Sequence, residues 1–161
     1  MRKAEIEELI NAWVRKKIND NDYLSSTLKG LFFNLANKDS EFPYINYNFD
    51  FVNLEDDRVM YEGELNFSIW DYQPDNVESQ IIRIRGQLVK EFGSEIAFND
   101  DLTEVFINND DIDSSDVLKH IRTFYNGNEG WIPEETKGIL HKEISFDVRL
   151  DRFLELTRIF N

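Results

Sequence analysis

Three stretches of this chain alternate apolar and polar residues with a period of two. In "YINYNFDF" the apolar Ile45, Tyr47, Phe49 and Phe51 share one side of an extended chain, and Asn46, Asn48 and Asp50 share the other. In "VMYEGELNFSIWDY", Tyr61, Leu65, Phe67 and Ile69 alternate with Glu62, Glu64, Asn66 and Ser68. In "GILHKEISFDVRLDRF", Leu140, Ile144, Phe146, Val148 and Leu150 lie on one face, with Lys142 the single exception. Strands of this kind bury one face only, so the sheet they form must be covered on one side. The first two, joined by the acidic turn "NLEDDR", are expected to pair antiparallel, and the third is expected to be a central strand. Pro43 keeps Phe42 out of the helical region and starts the first strand. Gly63 falls on the apolar face, where a bulge or a close backbone approach is expected.

The cover comes from segments of helical period. Ile6, Leu9, Ile10, Trp13, Val14 and Ile18 form the stripe of an amphipathic helix over 3–18. "NDND" at 19–22 breaks it, and Ser25 or Ser26 can cap a second short helix through Leu28, Leu31, Phe32 and Leu35. "QPDNVESQIIRIRGQLVKEF" is a third: Asp75 and Glu78 have capping-box spacing, Val77, Ile81, Ile84 and Leu88 are its stripe, and Gly93 its stop. Further on, "TEVFIN" at 103–108 reads as a short strand and "NNDDIDSSD" as a loop. "VLKHIRTFY" at 117–125 reads as a strand or a short helix, "NGNEGWIPEETKG" as a long exposed loop, and "RFLELTRIFN" as a segment able to turn helical. The expected fold is α+β: a small, mostly antiparallel sheet of about four strands packed against helices on one face. It forms a single domain over 1–161, with N-terminal helices in 3–36, sheet and central helix in 43–152, and an acidic insertion at about 95–138.

The 161 residues are 41% hydrophobic and 14% aromatic, enough to close one core without staples. No cysteine is present, which excludes disulfides and thiolate metal sites. No apolar run approaches the roughly 18 residues of a spanning helix, and the N-terminal residues lack a signal-peptide core, so the chain reads as soluble, not secreted and without a membrane partner. The formal net charge is −14. Nucleic-acid binding by phosphate neutralisation is thereby disfavoured; the charge serves either as a solubilising surface or as a surface past which DNA slides without sticking.

Chemical motifs are sparse. His120 and His141 are the only histidines, and neither has HExxH or paired-ligand spacing. There is no GxSxG, Walker or GxGxxG sequence. The acidic runs at 99–101 and 109–113 invite a calcium reading, but in a loop starting at Asp111 the twelfth position, which needs glutamate, holds Arg122. No catalytic residue, metal site or cofactor is therefore assigned. Trp131, in "NEGWIPEE", is either an interface anchor or a side chain buried by its own loop folding back. Trp70 and Ile132 join it as candidate interface residues. Asp110, Asp111 and Asp113 are the candidate acidic surface facing DNA.

The element order resembles that of the tail terminator (tail completion, or tail-to-head joining) proteins of tailed bacteriophages. The matching parts are an N-terminal helix, "FPYINYNF" for the strand entry, "YEGELNFSIWDYQPDNVESQIIRIRGQLVKEF" for strand, polar turn and helix, and "HKEISFDVRL" for the closing strand. Together these cover residues 24 to 152. The acidic insertion between Glu95 and Gly138 and the C-terminal "FLELTRIFN" depart from the pattern. The resemblance implies a structural virion protein and not an enzyme, assembled in the bacterial host cytoplasm, that forms a hexameric ring. The ring would cap the tail tube protein, meet the head–tail connector protein and let DNA pass without specific binding. Three other classes fit the residues: a small acidic binding module or DNA mimic inhibiting a host protein, another neck or tail ring component such as a connector or tube subunit, and an enzyme, whose first sign would be thermal stabilisation by a metal or nucleotide.

Overall fold

The structure, a computed structural model, describes residues 6–53, 60–75, 79–98 and 118–152. In chain order the elements are α1 (Ile6–Asn19), α2 (Asp22–Thr27), β1 (Gly30–Phe33), β2 (Tyr44–Asn53), β3 (Met60–Tyr72), α3 (Ser79–Phe92), β4 (Ser94–Phe98), β5 (Leu118–Ile132) and β6 (Ile139–Arg152). The six strands form one sheet in the order β1-β2-β3-β6-β5-β4, antiparallel except for the β1–β2 pair. The architecture is α+β, as the periodicities require, with six strands where about four were expected.

The alternation decides the faces. Ile45, Tyr47, Leu65, Phe67, Ile69, Ile144, Phe146, Val148 and Leu150 are fully buried, together with Ile10, Trp13, Val14 and Ile18 of α1 and Ile81, Ile84, Leu88 and Phe92 of α3. Register places Tyr47 opposite Phe67 and Phe67 opposite Ile144, so the apolar rows run straight across the sheet. Phe67 is the aromatic hub, with ring centroids 5.2 Å from Phe92, 5.9 Å from Phe146 and 6.1 Å from Tyr47. Trp13 meets Phe92 edge-on at 5.4 Å, tying α1 to α3. Tyr47 also donates its hydroxyl to Asn11 of α1. In α1, Glu7 and Glu8 in the first turn and Lys16 and Lys17 in the last complement the helix dipole.

Three sequence expectations are corrected. The second helix does not run through Leu35. It ends at Thr27 and is capped by Asn21, whose side-chain oxygen accepts from the Leu24 N–H at 3.0 Å while its amide donates to Gln87 and Glu91 of α3. Leu31 and Phe32 then belong to β1, because backbone pairing of Leu31 with Ile45 and Phe33 with Tyr47 outweighs their helical spacing. The region 126–138 is not a long loop. β5 continues to Ile132, and its glycines and asparagines make a bulge between Tyr125 and Glu129 in which Gly127 takes φ +83 and Asn128 N–H bonds to the Asn126 side chain. The supposed insertion thus supplies β4 and β5 to the sheet itself. β6 is central, Gly93 ends α3 with its N–H on the Val89 carbonyl, and a Cβ at Gly63 would run into the Asp50 carbonyl, so the close approach expected there is present. "TEVFIN", "NNDDIDSSD", the Glu78 half of the capping box and "FLELTRIFN" lie outside the described residues.

Candidate interaction surface

No described helix covers the second face of the sheet, and strand register arranges its side chains in rungs. At one end Tyr44, Trp70, His141 and Ile132 stand side by side on β2, β3, β6 and β5. The next rung is Asn46, Ser68, Glu143 and Gly130, and the one after it Asn48, Asn66 and Ser145. Beyond these, Asp50, Glu64 and Asp147 face one another across three adjacent strands. The last rung is Val52, Glu62, Arg149 and Arg122.

The aromatic rung is tightly built. Trp70 stacks on His141 with centroids 3.7 Å apart at 16°, and Tyr44 lies parallel to Trp70 at 6.0 Å. The Trp70 indole N–H donates to Asn46 at 2.7 Å. His141 is 7% exposed, its Nδ1 lies 2.9 Å from Glu134 in the β5–β6 turn, and its Nε2 has no hydrogen-bond partner. The middle rung is satisfied internally: Asn66 donates to Asn48 at 3.0 Å and Ser145 to Asn66 at 2.6 Å.

The acidic rung is not. Like charges directly opposite on neighbouring strands oppose pairing. Among the described residues no cation pairs with Asp50 or Glu64; Arg149 reaches Glu62 at 3.6 Å, and Asp147 accepts only from the neutral Asn126 at 3.2 Å. Glu64→Gln is therefore expected to stabilise the protein by about 0.5 kcal/mol, with the gain shrinking as salt is added; thermal melts at two ionic strengths check this.

On the helix side, at the same end of β5 and β6, Lys142 opposes Ile69 yet is only 8% exposed. Its charge is met by Glu129 at 3.6 Å and by the Trp131 ring, whose centroid is 4.6 Å away. Glu129 also accepts from Arg85 of α3 at 2.7 Å and from the Tyr125 hydroxyl at 2.5 Å. The Arg85 hydrogen bond in particular holds the Glu129 carboxyl below its ordinary 4.5, and the bond to Glu129 raises the Tyr125 hydroxyl. Because folding lowers the Glu129 value, its contribution to stability is present above about 4.5 and is lost as pH falls through the lowered folded value. Glu129→Gln is accordingly expected to destabilise at neutral pH, stranding Lys142, and to match the parent protein in strong acid; denaturant melts across pH check it.

The candidate residues fall as follows. Trp70 and Ile132 share the aromatic rung. Trp131, one residue away, points to the opposite face, 42% exposed and lying in a strand, neither in an exposed loop nor buried by one. Asp110, Asp111 and Asp113 lie outside the described residues. Sequence reasoning missed Tyr44 and His141 on the first rung and the Asp50–Glu64–Asp147 row; the alternation showed each acidic residue on its polar face, but only register brings them opposite one another.

A hollow of about 700 Å³, wide open, is lined by Lys29, Glu41, Phe42, Asp71, Tyr72 and others. Asp71 is already bonded to the Tyr72 N–H and the Gln73 amide, so its oxygens are occupied. Among the described residues no three histidines or acids are placed to hold a metal, and no helix is long and apolar enough to cross a membrane. No protein-family model and no curated protein matches the chain.

Proposed function

We propose that this chain is a structural assembly subunit, a tail terminator of a tailed bacteriophage that closes into a six-membered ring on the tail tube and meets the head connector. The observation that carries the reading is the six-stranded sheet with a short strand at each edge, β1 of four residues and β4 of five, neither with a second strand partner among the described residues. Two different edges on opposite sides of one subunit are what head-to-tail contacts need, and such contacts close into a ring when the rotation from copy to copy closes. Short edges also limit uncontrolled strand addition. The element order supports the same reading, and the charge of −14 suits a passage through which DNA moves unbound. Added to polymerising tail tube protein, the chain is expected to stop growth and to appear as a ring at one tube end in electron micrographs. Tubes that lengthen unchanged, with no density at either end, would refute the proposal.

A further inference from the structure

We infer that the open sheet face docks a lysine- and arginine-rich segment of another protein, its cations on the Asp50, Glu64 and Asp147 rung and its apolar side chains on the rung of Tyr44, Trp70, His141 and Ile132. The ring proposal does not enter into this inference. Three carboxylates held opposite one another cost stability, and among the described residues only Asn126, a neutral donor, reaches the row. Cations from outside would relieve that repulsion.

The second observation is His141. Its Nδ1 lies 2.9 Å from Glu134, while its buried Nε2, 3.7 Å from the Glu143 carboxylate, has no hydrogen-bond partner. A guanidinium seated on the exposed Glu143 carboxylate would bring a counter-charge and hydrogen-bond donors to the edge of this unsatisfied site. Next to Glu143 there is a hollow of about 310 Å³ lined by Gly127, Gly130, Glu129, Ile132 and Ser145, where the β5 bulge leaves room for such a side chain. Apolar area for the rest of the segment is at hand, since Ile132 is 38% and Tyr72 48% exposed. The aromatic and acidic rungs lie three rungs apart, roughly 20 Å at about 3.4 Å per residue, a span of about six extended residues.

Charge selects the occupant. A second copy would bring another acidic face, whose own cations are engaged there: Arg149 lies 3.6 Å from Glu62, and the Arg122 guanidinium lies over the Phe124 ring at 5.2 Å. Nucleic acid is repelled for the same reason.

The test is a titration of the full ¹⁵N-labelled chain with a synthetic peptide of about twelve residues, leucine-rich in one half and arginine-rich in the other so that the inward side chains can meet both rungs, followed through the tryptophan indole N–H signals, with Trp70 assigned by Trp70→Phe. The expected result is a shift of the Trp70 signal while that of buried Trp13 stays in place. Glu64→Gln with Glu143→Gln should weaken binding about tenfold, and Asp22→Asn with Asp39→Asn, which remove equal charge elsewhere, should change it less than twofold. Equal weakening by both pairs would reduce the effect to overall charge and overturn the inference. So would absence of binding, a Trp70 signal that does not move, or a doubling of mass showing that copies cover the face themselves.

Discussion

Phe67→Ala is expected to destabilise the protein by about 3 to 5 kcal/mol, the largest loss from any one side chain in the core. Phe67 is fully buried on β3, a central strand, and its ring meets Phe92 from α3, Phe146 from β6 and Tyr47 from β2. Removing it opens a cavity where the sheet and α3 meet, bounded by rings that cannot all move in at once. Chemical denaturation gives the value directly. A loss under about 1.5 kcal/mol would mean that the core collapses around the gap and that the aromatic cluster is not the centre of stability. Phe67→Leu, keeping much of the volume, should lose less than half as much.

Gly63→Val should cost more than about 3 kcal/mol, by a different route. Gly63 pairs with Phe51 on one side and Val148 on the other, and an added Cβ meets the Asp50 backbone carbonyl, which cannot rotate away as a side-chain tip can. Either the β2–β3 register yields or the strands separate there, and a one-residue slip would turn every apolar side chain of β2 to the wrong face. The expected readout is a lowered denaturation midpoint together with fast amide exchange confined to Val52, Gly63 and their neighbours. Glycine at 86, where an added Cβ meets nothing within 4 Å, is the control: Gly86→Ala on the exposed surface of α3 should raise stability by up to about 1 kcal/mol.

The difference between these two glycines was partly legible in the sequence, and so was most of the core. Gly63 sits on the apolar side of an alternating run, and Ile81, Ile84 and Leu88 sit at helical spacing, so strands β2, β3 and β6 and helices α1 and α3 follow from periodicity alone. Strands β1 and β5 do not. Leu28, Leu31 and Phe32 carry helical spacing, and it is pairing with Ile45 that makes "GLFF" a strand. "NGNEG" has the composition of a turn, and the bulge at Asn126 to Asn128 uses that composition inside a strand, with Glu129 to Ile132 pairing again with β6. The candidate surface shows the same division. Trp70 and Ile132 were identifiable as large apolar residues among polar ones, but their meeting across His141, the separation of Trp131 onto the other face, and the acidic rung all depend on register across four strands, which no local pattern carries.

Those rungs also bear on assembly. A chain of charge −14 must overcome self-repulsion to associate with copies of itself. Ionic strength therefore enters any test of the ring. Screening over about 10 Å at 0.1 M salt should favour edge-to-edge contact between copies and weaken contact with a basic partner, so the two kinds of association respond to salt in opposite directions.

The most direct measurement is solution mass by light scattering over a range of protein concentrations at low and moderate salt. A rise to six times the mass of the 19.1 kDa chain, reached more readily as salt is added, is the predicted result. A single-chain mass at every concentration and salt would contradict the ring.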